Sequence, residues 1–242
     1  MNINKNCKLF LQNVYSYDIS ACHYNILEKL GVDISHLDKN DKTQRNIQIG
    51  LMMRNNPKLT PVLRGTTESI ISEYILRNNI SEDDIVIRQY DGILTTKKLK
   101  ETTDMYLPLD LRKIFQVFLI SIDRTKYIGL DEKFSTTIKG VPHRYERIEK
   151  IYEEILKINF MNKTSIFKKL DEIKHRVLFG KNPELYGIPS SNNLFSIFFK
   201  QYGQIDITES MLRIMDTEDI DKEKYYDLYI RPFFESIVVE FV

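Results

Sequence analysis

The strongest constraint in the sequence is a short polar stretch set between two apolar runs. Ile85, Val86 and Ile87 are followed by Arg88-Gln89-Tyr90-Asp91-Gly92, and then by Ile93 and Leu94. Two apolar runs joined by a few residues ending in Asp-Gly read as an antiparallel hairpin with Tyr90-Asp91-Gly92 at its turn. A hairpin this apolar needs further strands or helices to cover it. It also displays a carboxylate at its tip.

A second carboxylate has a similar setting. Residues 8–17 (KLFLQNVYSY) mix apolar and aromatic side chains and read as a strand ending near Asp18. Residues 20–30 (SACHYNILEKL) then have a helical period that stops at Gly31, a C-cap signal. Strand ends and hairpin tips place side chains along one edge of a sheet. Taken singly, each aspartate reads more readily as a turn residue than as a ligand. Their shared setting raises the odds of a joint role.

Such an edge suits phosphoryl transfer from a nucleoside triphosphate. That chemistry uses two divalent ions ~3.5–4 Å apart, held by shared carboxylates. Mg²⁺ takes hard oxygen ligands and keeps several waters, so two aspartates with phosphate oxygens and a backbone carbonyl suffice. The carbonyl of Ile19, beside Asp18, is the natural backbone ligand. Mn²⁺ is expected to substitute for Mg²⁺.

Composition neither supports nor opposes a nucleic-acid partner. The chain has 35 basic and 34 acidic residues, a net charge of +1. An acidic metal site and a basic nucleic-acid track would cancel in that sum. No stretch approaches the ~20 apolar residues of a membrane span, and the start has no signal-peptide core. A cytoplasmic location is therefore expected, in host cytoplasm for a viral protein. Cys7 and Cys22 form no CxxC pattern, which argues against zinc. Abundant Asn, Ile and Lys look like the bias of an AT-rich genome, such as that of a virus, phage or mobile element.

Elsewhere the periodicity predicts helices over 43–53 and 65–78, with Thr66 or Thr67 as N-cap of the second. Pro57 and Pro61 would break the chain between them. Residues 111–122 are apolar enough to be buried, and 126–139 read as a short hairpin. Beyond residue 140 the pattern turns helical, over 145–158, 164–178, 191–201, 208–215 and 222–240. Phe195, Phe198 and Phe199 have the spacing of a helix face.

The run YDISACHYNIL (17–27) resembles the first polymerase motif of family B DNA polymerases, with Asp18 at the metal-binding aspartate. His23 falls where that family has a tyrosine beneath the sugar. IRQYDGILTT (87–96) resembles the third motif: Asp91 matches the second aspartate, and Gln89 replaces the first. KTQRNIQIGLMM (42–53) stands where the fingers helix belongs, offering Lys42 or Arg45 to the triphosphate. TKYIGL (125–130), IKGVPHRYE (138–146) and DIDKEKYYDLYIRPFFESI (219–237) resemble the basic-tyrosine-glycine motif and two thumb signatures.

The resemblance implies an α+β fold: a palm-type antiparallel sheet backed by helices, with short helical fingers and a mostly helical thumb. It places the palm at 1–140, the fingers insertion at about 33–62 and the thumb at 141–242. It implies template-directed addition of deoxynucleotides to a primer 3′ end, with two Mg²⁺ ions on Asp18 and Asp91. Ile19, His23, Lys42 and Arg45 would bind the nucleotide. Lys126, Tyr127, Lys139 and Arg144 would bind the primer-template DNA. Tyr127 is read equally well as stacking on the duplex end or as filling the core. The exonuclease domain has no counterpart, which raises the expectation of a separate polypeptide carrying the N-terminal and exonuclease domains. The alternatives are a catalytically degenerate palm that serves as a DNA- or polymerase-binding accessory protein, and another nucleotidyltransferase, such as a primase or a template-independent enzyme.

Overall fold

The computed structural model describes residues 2–100, 102–103, 106–142, 146–158, 161–189 and 194–241. In chain order the first elements are β1 (Asn2–Ile3), β2 (Phe10–Leu11), β3 (Val14–Asp18), α1 (Cys22–Lys29), α2 (Lys42–Asn55), α3 (Leu59–Arg77), β4 (Ile85–Arg88), β5 (Gly92–Thr95) and β6 (Asp110–Ile120). There follow β7 (Tyr127–Asp131), β8 (Thr136–Lys139), α4 (Glu146–Lys157), α5 (Lys163–Phe179), β9 (Ile188–Pro189), β10 (Phe195–Phe199), β11 (Gly203–Ile207), α6 (Glu209–Ile214), α7 (Lys222–Tyr229) and α8 (Arg231–Phe241). The result is a mixed α+β fold in which antiparallel strands are backed by helices, as the palm-type reading predicts. No helix among the described residues is long and apolar enough to cross a membrane.

The chain forms two compact units. The first comprises Met1–Cys7 and Asn13–Ile114. Its strands run in the order β1-β4-β5-β3, with β6 beside β3. The predicted hairpin is present: β4 and β5 pair antiparallel, and the turn is closed by Gln89 N–H donating to the Gly92 carbonyl at 3.0 Å. The core of this unit is built from Tyr17, Ile26, Leu27, Leu63, Ile70, Tyr74, Ile93 and Leu109. Two buried tyrosines find polar partners there. Tyr17 Oη accepts from Leu99 N–H at 2.9 Å, and Tyr74 O–H donates to the Leu107 carbonyl at 2.6 Å.

Three local outcomes differ from the periodicity. The expected strand over 8–17 is split, because Asn13 turns with φ 55°. Asn is among the few residues that enter that region at small cost. Helix α3 begins at Leu59, before Pro61, because a proline in the first turn lacks only an N–H that would be unpaired anyway. Thr67 is then inside the helix, where its hydroxyl donates to the Leu63 carbonyl at 2.8 Å. Gly31 does close α1: its φ is +70°, and its N–H donates to Glu28 O.

The second unit comprises Lys8–Gln12 and Phe115–Val242. β2 pairs with β6, β6 with β7, and β7 with β8. Its core includes Ile128, Tyr152, Ile173, Val177, Phe195, Ile197 and Phe233. The helix expected over 191–201 is instead strand β10, paired with β9 and β11; residues 190–193 lie outside the described set. Phe195 and Ile197 are fully buried, the i, i+2 pattern of a strand face. Over five residues, phenylalanines at 195, 198 and 199 satisfy either period. Cross-strand pairing decides, helped by the Ser196 hydroxyl, which hydrogen-bonds to Asp206 on β11. The helix expected over 222–240 breaks at Ile230 into α7 and α8, with Pro232 in the first turn of α8.

Lys126 follows the turn that leads into β7 and is held locally. Its Nζ donates to Asp123 Oδ2 at 2.6 Å. Burial would raise the Asp123 carboxyl, but hydrogen bonds from Lys126, Ser121 and Thr125 outweigh it and bring the group down to about 2. A depressed acid stabilises the fold above its unfolded value of ~3.9, and that stabilisation is lost as pH falls towards 2. The Asp123 side chain is 39% exposed, so the pair is screened. Lys126→Met should therefore cost about 0.5–1 kcal/mol at pH 7, with the two unfolding curves merging near pH 2. Urea midpoints across that range measure it. An equal loss at every pH would exclude the ion pair as the cause.

Candidate active site

Asp18 and Asp91 come together because of strand register. β3 and β5 pair antiparallel with Asp18 opposite Gly92. Ile19 N–H donates to the Asp91 carbonyl at 2.9 Å, tying the end of β3 to the hairpin tip. The approach is close: a Cβ at Gly92 would lie 3.4 Å from Asp18 Oδ1. Both aspartates line one cleft of about 960 Å³, together with Ile19, Ser20, Cys22, His23, Lys39, Lys42, Arg45 and Arg112. All of these residues belong to the first unit.

The electrostatics of the cleft are under-compensated. The Asp18 carboxyl is pushed up to about 6, first by burial and then by the Asp91 charge. Arg112 and Lys42 oppose that rise, and Asp110 adds to it. In the unfolded chain an aspartate titrates near ~3.9. Between that value and about 6 the unfolded chain ionises while the folded site resists, so stability falls as pH rises through the window and levels off above it. Asp18→Asn should remove that slope. The Asp18 side chain is 37% exposed, which screens the effect. In metal-free buffer the variant is expected to be about 1 kcal/mol more stable at pH 7 and no more stable at pH 4. Urea denaturation at the two pH values decides; equal differences at both would refute it.

The other nucleotide-site candidates are placed as follows. Lys42 is the first residue of α2 and faces the cleft. Asp41 caps this helix by accepting from Gln44 N–H at 3.0 Å. Arg45, one turn on, is only 8% exposed, and its guanidinium donates to the Lys39 carbonyl. Both candidates for the triphosphate line the cleft, and Arg45 also holds the loop before α2. His23 lies near the start of α1, its ring edge-on to Tyr90 at 5.1 Å between centroids. Burial lowers its pKa against the opposing pull of Asp91, which favours the neutral imidazole. His23 Nε2 is buried without a hydrogen-bond partner among the described residues. Cys22 is also buried, in contact with Thr67 at 3.4 Å, and its thiol is pushed up to about 11, first by burial, so it is a packing group.

The DNA candidates lie in the second unit. Tyr127 is 2% exposed and stacks on Phe118 at 4.8 Å, so of its two readings it takes the core-filling one. Lys126 is engaged with Asp123, as described above. Lys139 is exposed on β8, followed by Gly140 with φ +79°. Arg144 lies outside the described residues.

Two cleft neighbours were missed by sequence reasoning: Arg112 and Asp110, at the head of β6. Arg112 Nε lies 3.7 Å from Asp18 Oδ2, and its Nη2 lies 3.3 Å from Asp110 Oδ2. The apolar run that follows them hid the available signal. Positions 110 and 112 share one face of a strand by its two-residue period.

The donor set fits a divalent cation. Two carboxylates and the Ile19 carbonyl are hard oxygen donors, and the Asp18 carboxyl is raised first by burial and then by the Asp91 charge, which a cation between them would offset. No group of three or more His, Cys, Asp or Glu side chains gathers to hold a metal among the described residues. The fit is therefore to an ion that also takes waters or substrate oxygens, the habit of Mg²⁺.

No family model matches the chain, and no curated protein matches it in sequence. Among solved structures, the family B DNA polymerase from the hyperthermophilic archaeon Pyrobaculum calidifontis matches with a TM-score of 0.50 and 11% sequence identity. The match covers 95% of this chain and 45% of that polymerase, so the chain spans less than half its length. At this identity the likeness is one of fold alone.

Proposed function

We propose that the chain is the palm-and-thumb portion of a DNA-directed DNA polymerase, adding deoxynucleotides to a primer 3′ end. One observation carries the reading. Asp18 and Asp91 are neighbours across the β3–β5 pair and line the same cleft. Their carboxylates and the Ile19 carbonyl would hold Mg²⁺ or Mn²⁺. Such ions, when bound, activate the primer hydroxyl and neutralise charge on the triphosphate. Lys42 stands in the cleft as a cation for the triphosphate. His23, neutral and packed on Tyr90, supplies an uncharged surface for the sugar. Lys139 and Arg144 are the candidates for primer-template phosphates, which fix position without reading sequence. Catalysis on this plan is positioning and electrostatics. A separate chain carrying N-terminal and exonuclease domains is the proposed protein partner.

The second reading, a degenerate palm that binds DNA or a polymerase without catalysis, is favoured by Arg112. Its guanidinium already contributes positive charge beside Asp18.

Primer extension by the full chain with Mg²⁺ or Mn²⁺ on a defined template separates these. Extension matching the template supports the polymerase. Absence of extension, alone and with a partner chain, leaves the binding role. Extension that ignores template sequence points to a template-independent nucleotidyltransferase.

A further inference from the structure

A triphosphate brings several negative charges into the cleft, and the first unit must meet them with cations. Arg45 is buried and donates to the Lys39 carbonyl, while Lys39 Nζ lies over the Tyr24 ring and 3.8 Å from Glu28. Lys42 is on the helical wall of the cleft. On the strand wall the cation is Arg112, with its side chain 43% exposed. Its planar fork suits phosphate oxygens, which it can grip with two parallel hydrogen bonds.

Arg112 approaches the two carboxylates loosely. At 3.7 Å the approach to Asp18 is longer than a hydrogen bond, and the 3.3 Å approach to Asp110 is a long one. Nη2 also donates to the Ser20 hydroxyl, which in turn donates to Asp110 at 3.0 Å. A divalent ion on Asp18 would cancel the charge that draws Arg112 there and would repel it.

We propose that Arg112 binds the polyphosphate of a nucleoside triphosphate, exchanging its contacts with Asp18 and Asp110 for phosphate oxygens. The inference rests on the reading of Asp18 and Asp91 as a metal-binding pair.

The test is equilibrium binding by the full chain without primer, so that no turnover intervenes. Calorimetric titration compares Mn²⁺ alone with dATP in the presence of Mn²⁺. Arg112→Ala should weaken dATP binding on the order of tenfold or more, the effect of losing a hydrogen-bonded charge. Arg112→Lys should recover part of that loss, keeping the charge without the fork. Mn²⁺ alone should bind Arg112→Ala at least as tightly as wild type, since a competing cation has gone. Unchanged dATP affinity in Arg112→Ala would overturn the proposal. So would a parallel loss of Mn²⁺ affinity, because Arg112 would then merely hold Asp18 in place. An Asp91→Asn arm tests the underlying reading separately. Mn²⁺ binding to wild type that does not need Asp91 removes the two-aspartate site, whatever Arg112 does.

Discussion

Primer extension should fall on the order of 10³-fold or more in Asp91→Asn, with little change in stability. The size follows from the role. A carboxylate shared between metal ions contributes several kcal/mol of charge stabilisation in the transition state, and ~1.4 kcal/mol is tenfold in rate. Asparagine keeps the shape and a single oxygen donor but loses the charge. The fold should tolerate it, because Asp91 ties the hairpin to β3 through its backbone carbonyl, which accepts from Ile19 N–H. Asp18→Asn should match the loss. The double substitution should be scarcely worse than either, since groups acting on one metal site are not additive. Extension by Asp91→Asn within tenfold of wild type would reject the site, provided thermal unfolding shows both proteins folded.

The hairpin was legible because its signal is local and doubly constrained. Two apolar runs rich in β-branched residues and an Asp-Gly turn leave few other conformations for residues 85–95, and the structure forms β4 and β5 there. Placing Asp18 at a strand end relied on the same kind of signal. Helices α2, α4 and α5 were also visible, because each runs for three or more turns and averages out single residues. Strand β10 was not, because five residues cannot separate the two periods. The role of Arg45 was hidden for a different reason. A helix register says which residues share a face, but only the loop before α2 decides that one arginine turns back to Lys39 while Lys42 faces the cleft. Arg112 was missed because what makes it a site residue is the pairing of β6 beside β3, a contact distant in sequence. Local pattern thus located the carboxylates, and tertiary pairing supplied the cations around them.

The same pairing makes Gly92 the most sensitive small residue of the site. A Cβ built there would lie 2.3 Å from the Tyr17 carbonyl oxygen and 3.3 Å from Asp18 Cα. Both are backbone atoms, so no side chain can swing aside. Nor can β3 retreat easily. The Tyr17 ring is 1% exposed, and its hydroxyl is bonded to Leu99 N–H. Gly92→Ala should therefore destabilise the first unit by about 1–3 kcal/mol or more, the cost of forcing a methyl into filled space. It should also push Asp18 away from Asp91, so Mn²⁺ affinity ought to drop even under conditions where the protein stays folded. Gly65→Ala serves as the control. Gly65 sits within α3 with nothing within 4 Å of its would-be Cβ, so alanine there should add about 0.5–1 kcal/mol. Urea denaturation would then show two glycine-to-alanine changes in one unit with opposite signs. If Gly92→Ala proved neutral in stability and kept its Mn²⁺ affinity, the β3–β5 register, and with it the meeting of the two carboxylates, would have to be abandoned.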